Sequence, residues 1–145
     1  MKSKLFILTL LVLLFTVMTT AVYAADYHVA PGGNDGNDCT SPATACATIQ
    51  AAINKASPSD TINVAQGTYI ENLLINKNLT LTAPDGRTVT TIQGISGVGA
   101  LGTVLIDGTT TAITINGFTI LGIDNNSPGV ENGAVYIRGS HSGTV

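Results

Sequence analysis

The chain has 145 residues, of which only 10% are charged and 5% aromatic, and it carries a net charge of −3. So weak and acidic a balance argues against nucleic acid or an anionic membrane surface as a partner. With 44% hydrophobic residues set at regular intervals, it does not read as disordered.

The first segment reads as a leader. Lys2 and Lys4 give a positive start, residues 5–17 are apolar apart from Thr9 and Thr16, and Val22-Tyr23-Ala24 precedes a cut after Ala24. Residues 1–24 are thus expected to be a signal peptide. The chain is then secreted, on the cell surface or periplasmic. The rival reading, an uncleaved anchor, meets an apolar core shorter than the roughly 20 residues of a membrane span. No other segment is apolar for long enough to cross a bilayer. After cleavage nine acidic side chains face four basic ones, Lys55, Lys77, Arg87 and Arg138, a net charge of −5.

Residues 25–59 form an entry segment. Residues 26–29 read as a strand, and residues 31–41, rich in Gly, Asn and Asp, as a loop. Asp35 and Asp38 sit among the densest oxygen donors, the pattern calcium uses. Their spacing fits neither an EF-hand nor a calcium-binding β-roll, so a turn is the rival reading and no cofactor is required. Cys39 and Cys46 predict a disulfide in an exported chain, contributing at most about 2.5 kcal/mol by loop-closure entropy. A metal or redox pair is the alternative, although the spacing is not Cys-x-x-Cys. Thr48 then stands as an N-cap. Ile49, Ala52, Ile53 and Ala56 recur at i, i+3, i+4 and i+7, one apolar helix face, and Pro58 follows the stop.

From Asp60 onward the apolar clusters are short and alternate with period two. They are Ile62/Val64, Leu79/Leu81, Val104/Ile106, Ile113/Ile115, Phe118/Ile120 and Val135/Ile137. The run from Tyr69 to Ile75 lies among them. Leu74-Ile75-Asn76 with residues 78–81 is similar to Thr114-Ile115-Asn116 with residues 117–120. That offset of 40 positions fits two units of about 20 residues. Asn76 and Asn116 fall at the corners, where a left-handed residue is expected. An antiparallel sandwich would need longer strands in hairpin pairs. A coil of short parallel strands fits better. Its first turn needs a cover, and the helix face has the right size to supply one. No such cover follows Val135 to Ile137, so residues 60–145 are expected to be about four opening turns of a longer coil, incomplete at the C-terminus.

These residues carry a resemblance to a family. Residues 27–31, 33–35, Cys39 to Cys46 and 48–53, then 60–64, 67–71 and 78–81, resemble the start of secreted right-handed parallel β-helix proteins of the pectin-lyase-like superfamily. The resemblance covers nearly all of the mature chain. It implies an all-β, right-handed parallel β-helix, or solenoid, with a short N-terminal capping α-helix. The superfamily holds polysaccharide lyases, pectin esterases, glycosidases, adhesins and copper-delivery proteins, with catalytic groups mostly on middle turns. Fold alone therefore assigns no activity.

The sequence supplies few chemical groups. Glu71 is an acid–base candidate if a cleft forms there, or a backbone-bonding corner residue. Tyr69 is expected to pack near the cap. Tyr136, opposite in parity to Val135 and Ile137, is the candidate for stacking on a sugar ring. A lyase would need carboxylates such as Asp107, Asp124 and Glu131 beside Arg138. His28 and His141 lie far apart, and the mature chain has no methionine, so a copper site lacks soft ligands. The expectation is a non-catalytic exported scaffold contacting carbohydrate or a surface protein. The alternative is the N-terminal part of a lyase or esterase acting on uronate polymers. Either would include downstream turns of the same protein as its partner.

Overall fold

A computed structural model describes residues 23–96, 102–107, 112–122 and 133–138. The expected leader lies almost wholly outside the described residues. So do Asp124, Glu131 and His141.

Among the described residues, ten short strands form three parallel sheets. They are β1 (Asp26–Val29), β2 (Thr61–Val64), β3 (Gly67–Ile70), β4 (Leu73–Ile75), β5 (Leu79–Thr82), β6 (Thr90–Gln93), β7 (Gly102–Asp107), β8 (Ile113–Asn116), β9 (Thr119–Leu121) and β10 (Gly133–Arg138). The first sheet has the order β1-β2-β5-β8, the second β3-β6-β9 and the third β10-β7-β4. Every pairing is parallel. The chain therefore visits the three sheets in turn and makes three stacked coils, with β1 as an extra strand ahead of the first. This is the expected parallel β-helix.

Alternation places one side chain in two inside the coil. The columns Tyr27–Ile62–Leu81–Ile115, Tyr69–Ile92–Ile120 and Leu73–Val104–Val135 line up by register. Ile62, Leu73, Ile75, Leu81, Ile92 and Val104 are fully buried. Stacking like on like lets each coil bury the apolar edge of the one before it, which no coil does alone.

Two readings of the sequence are corrected. The repeat offset is not 40: Ile75 lies in the third sheet, and Ile115 lies in the first. Thr61 pairs with Thr80, 19 positions on, but Thr80 pairs with Thr114, 34 positions on. Later coils are lengthened between strands, where insertions cost little, so three coils occupy the length expected to hold four. The corner asparagines are not left-handed either. Among the described residues positive φ falls on Cys39, Ser59 and glycines such as Gly117, at φ 83°. A Cβ on Gly117 would also run into the Ala83 carbonyl. Asparagines at other corners act through their side chains. Asn72 Nδ2 donates to the Ile95 carbonyl at 2.9 Å and its Oδ1 accepts from Ile95 N–H at 2.8 Å. Asn78 Oδ1 accepts from Ala112 N–H at 3.0 Å. Each stitches one coil to the next where the ladder is interrupted.

The mouth of the coil is closed on two sides. Helix α1 (Ile49–Lys55) starts at Thr48, whose side chain accepts from Ala51 N–H, and buries Ile49, Ala52 and Ile53 against the interior. The segment around the Cys39–Cys46 disulfide, with Cα atoms 5.1 Å apart, lies along the outer edge of β1. His28 N–H donates to the Cys39 carbonyl, Cys46 N–H to the His28 carbonyl, and Ala30 N–H to the Cys46 carbonyl. Backbone groups that an edge strand would present to other chains are thus paired.

Ile53→Ala should destabilise the fold by about 2–5 kcal/mol, since it leaves a cavity under the cap; urea unfolding measures this. Thr90 is fully buried and its hydroxyl is without a hydrogen-bond partner. Thr90→Val, of similar shape, should therefore raise stability by about 1 kcal/mol in the same experiment.

Candidate functional site

The outer faces of the three sheets differ in chemistry. On the first sheet, register aligns Asp26, Thr61, Thr80 and Thr114 in one column and His28, Asn63, Thr82 and Asn116 in the next. This is a flat polar grid of hydroxyls and amides, with strands roughly 4.8 Å apart. On the third sheet, Leu74, Leu105 and Tyr136 form one column, and Asp107 and Arg138 sit beside it as register partners. Leu74, Tyr136 and Arg138 are exposed.

The third sheet thus brings together three residues singled out from the sequence. Tyr136 and Arg138 point to one side of β10 because they are two residues apart, and Asp107 flanks Arg138 on β7. An aromatic ring beside a hydrogen-bonding fork and a carboxylate suits a sugar ring with its hydroxyls. The other lyase carboxylates lie outside the described residues.

Glu71 is committed to the backbone. It stands at the corner between β3 and β4 and reaches the start of α1, accepting from Ile49 N–H at 2.9 Å and Gln50 N–H at 3.0 Å. Burial pushes its carboxyl up, against the pull of those two bonds, and the nearby Asp35 charge adds to the rise. Asp35 holds the preceding pair: Ala47 N–H at 2.8 Å and Thr48 N–H at 2.9 Å, with the Thr48 hydroxyl at 3.0 Å. Its slight burial raises its carboxyl, but the bonds from Thr48 and Ala47 and the charge of Lys55 outweigh this and hold it below the usual range. Two carboxylates therefore take four successive N–H groups, of which Thr48, Ile49 and Gln50 belong to the helix start that leaves them unpaired. At the other end Lys77 Nζ donates to the Ile53 and Ala56 carbonyls at 2.9 and 2.8 Å. Negative charge at the start and positive charge at the finish both favour the helix.

Asp38 faces elsewhere. Its Oδ1 accepts from the Thr44 hydroxyl at 2.7 Å and Thr40 N–H at 3.1 Å, and these bonds hold its carboxyl low. The two aspartates considered for calcium are thus engaged with separate turns. Among the described residues no three His, Cys, Asp or Glu side chains cluster closely enough to hold a metal. Tyr69 packs in the interior with its hydroxyl on the Ala65 carbonyl at 2.8 Å. Its phenol is pushed up to about 12 by burial and by Glu71.

One feature escaped the sequence reading. An open groove of about 400 Å³ runs beside the first sheet, lined by His28, Asn63, Pro42, Ala45, Pro84 and Asp85. These residues come from four segments and share no local motif, so only the coil brings them together. No protein-family model matches this chain, and no curated protein matches it in sequence.

The carboxylate clamp predicts opposite pH slopes. Asp35, held low, adds stability above its ordinary value of 3.8 and loses it as pH falls through the folded-state value. Asp35→Asn should cost about 1 kcal/mol near neutrality, and the cost should shrink on acidification. Glu71, held high, is best tolerated below its ordinary value of 4.5, and its contribution falls as pH rises through the raised value. The cost of Glu71→Gln should therefore shrink as pH rises. Denaturant titrations across this range measure both.

Proposed function

We propose that this chain forms an exported parallel β-helix of the pectin-lyase-like kind. Its role is to present the outer face of the third sheet to carbohydrate. The coil is right-handed in this reading, the hand nearly all parallel crossovers take. The observation that carries the proposal is the flat strip of Leu105 and Asp107 on β7 beside Tyr136 and Arg138 on β10. Tyr136 stacks on a sugar face, while Asp107 and Arg138 meet its hydroxyls. With a net charge of −5 on the mature chain, neutral glycans are favoured over polyuronates.

Export is supported by the leader-like first segment and by the disulfide, which persists in oxidising compartments. No helix among the described residues is long and apolar enough to cross a membrane.

Titration of the protein with a panel of neutral and acidic polysaccharides tests the reading. Binding should be strongest to neutral glycans, and Tyr136→Ala should weaken it roughly three- to tenfold. No binding, or binding indifferent to Tyr136, overturns the proposal. The pairing of Asp107 with Arg138 favours a second reading, a uronate lyase with further carboxylates beside this pair. Release of unsaturated product from polyuronate in the presence of calcium would replace the scaffold with that enzyme.

A further inference from the structure

Asp60 is buried, 3% exposed, at the turn between α1 and β2. Its Oδ2 accepts from Ser57 N–H at 2.7 Å, and its Oδ1 accepts from Ala25 N–H at 2.8 Å. Neither donor is charged. An ionised carboxylate removed from water is costly unless it is paired with a cation. Ala25 is also fixed on its other side, where its carbonyl accepts from Thr61 N–H at 2.9 Å. It is the last residue before β1, and the Tyr23 and Ala24 that precede it are exposed. The expected leader cleavage falls between Ala24 and Ala25.

We propose that this cleavage completes the buried site: the α-ammonium created at Ala25 becomes the cationic partner of Asp60. The proposal rests on the export reading given above. Hydrolysis by a leader-removing endopeptidase consumes one water. The Ala24 carbonyl carbon takes the hydroxyl oxygen and becomes a carboxylate. The Ala25 nitrogen leaves as an amine and takes up a proton.

The nitrogen need not move. Its hydrogen bond to Oδ1 becomes charge-assisted and stronger in place. Position is set to one residue, because Ala25 is held between Asp60 and Thr61. A terminus at Ala24 or Asp26 would put the charge one step away from the carboxylate. The intact precursor keeps a neutral amide in this position, so Asp60 there has only neutral donors. Processing thus stabilises the first coil where β1 joins it.

A free α-amine has an ordinary pKa of about 7.7–8.0. The carboxylate raises it in the folded state. The added stability is therefore fully present below that ordinary value, and is lost as pH rises through the raised folded-state value.

The test starts from the full-length chain in an exporting host. The exported product is sequenced from its N-terminus, and part of it is acetylated at the α-amine, which keeps an N–H but removes the charge. The product should begin at Ala25. The free-amine form should have an unfolding equilibrium constant about tenfold smaller than the acetylated form near pH 7, and the difference should vanish at alkaline pH. Asp60→Asn should abolish the difference between the two forms. Where that variant does not fold, the pH dependence of the acetylation effect decides instead. A chain that stays uncut or is not exported overturns the export reading and this proposal with it. A chain cut elsewhere overturns the assignment of Ala25. A chain beginning at Ala25 whose stability ignores acetylation at every pH overturns the ion pair alone and leaves export standing.

Discussion

A coil of parallel strands has an open mouth, and closing it is the constraint on which the rest of this structure depends. The interior columns of the three sheets are mostly apolar, and the first coil has no coil ahead of it to cover them. Helix α1 lays Ile49, Ala52 and Ile53 over that opening, and the disulfide segment pairs with the bare edge of β1. A seven-residue helix is too short to persist alone. It is held by its ends: Asp35 and Glu71 take the N–H groups at its start, and Lys77 takes carbonyls at its finish. These three residues come from the entry loop, the corner between β3 and β4 and the corner between β4 and β5. The cap and the first coil therefore require one another.

Much of this was legible because it depends on periodicity. The helix face of Ile49, Ala52, Ile53 and Ala56, the N-cap at Thr48 and the strand at Asp26–Val29 appear where their spacing placed them. Strands with two inward apolar residues were visible as well. Strand β6 was not, because its inward positions are Thr90 and Ile92, and one apolar residue makes no alternation. The run from Tyr69 to Ile75 reads as one segment, but Glu71 and Asn72 turn a corner within it. Coil length was misjudged because the first coil spans 19 positions and the later insertions carry no periodic mark.

The site was less legible than the fold. Tyr136, Arg138 and Asp107 were singled out by residue type, yet only the register of β7 against β10 makes them neighbours. Glu71 shows the opposite case. A lone glutamate on a short strand carries acid–base potential in sequence, and the structure gives both of its oxygens to the helix start. The groove at His28 and Asp85 had no sequence signal at all, since its lining converges only through coiling.

Native-state hydrogen exchange tests the mutual dependence of cap and coil most directly. The amides of Ile49, Gln50 and Ala56 should open with the same free energy as those of Ile62 and Leu81 in the first two coils, as one cooperative unit. Cap amides that exchange freely while the coil amides stay protected would contradict it.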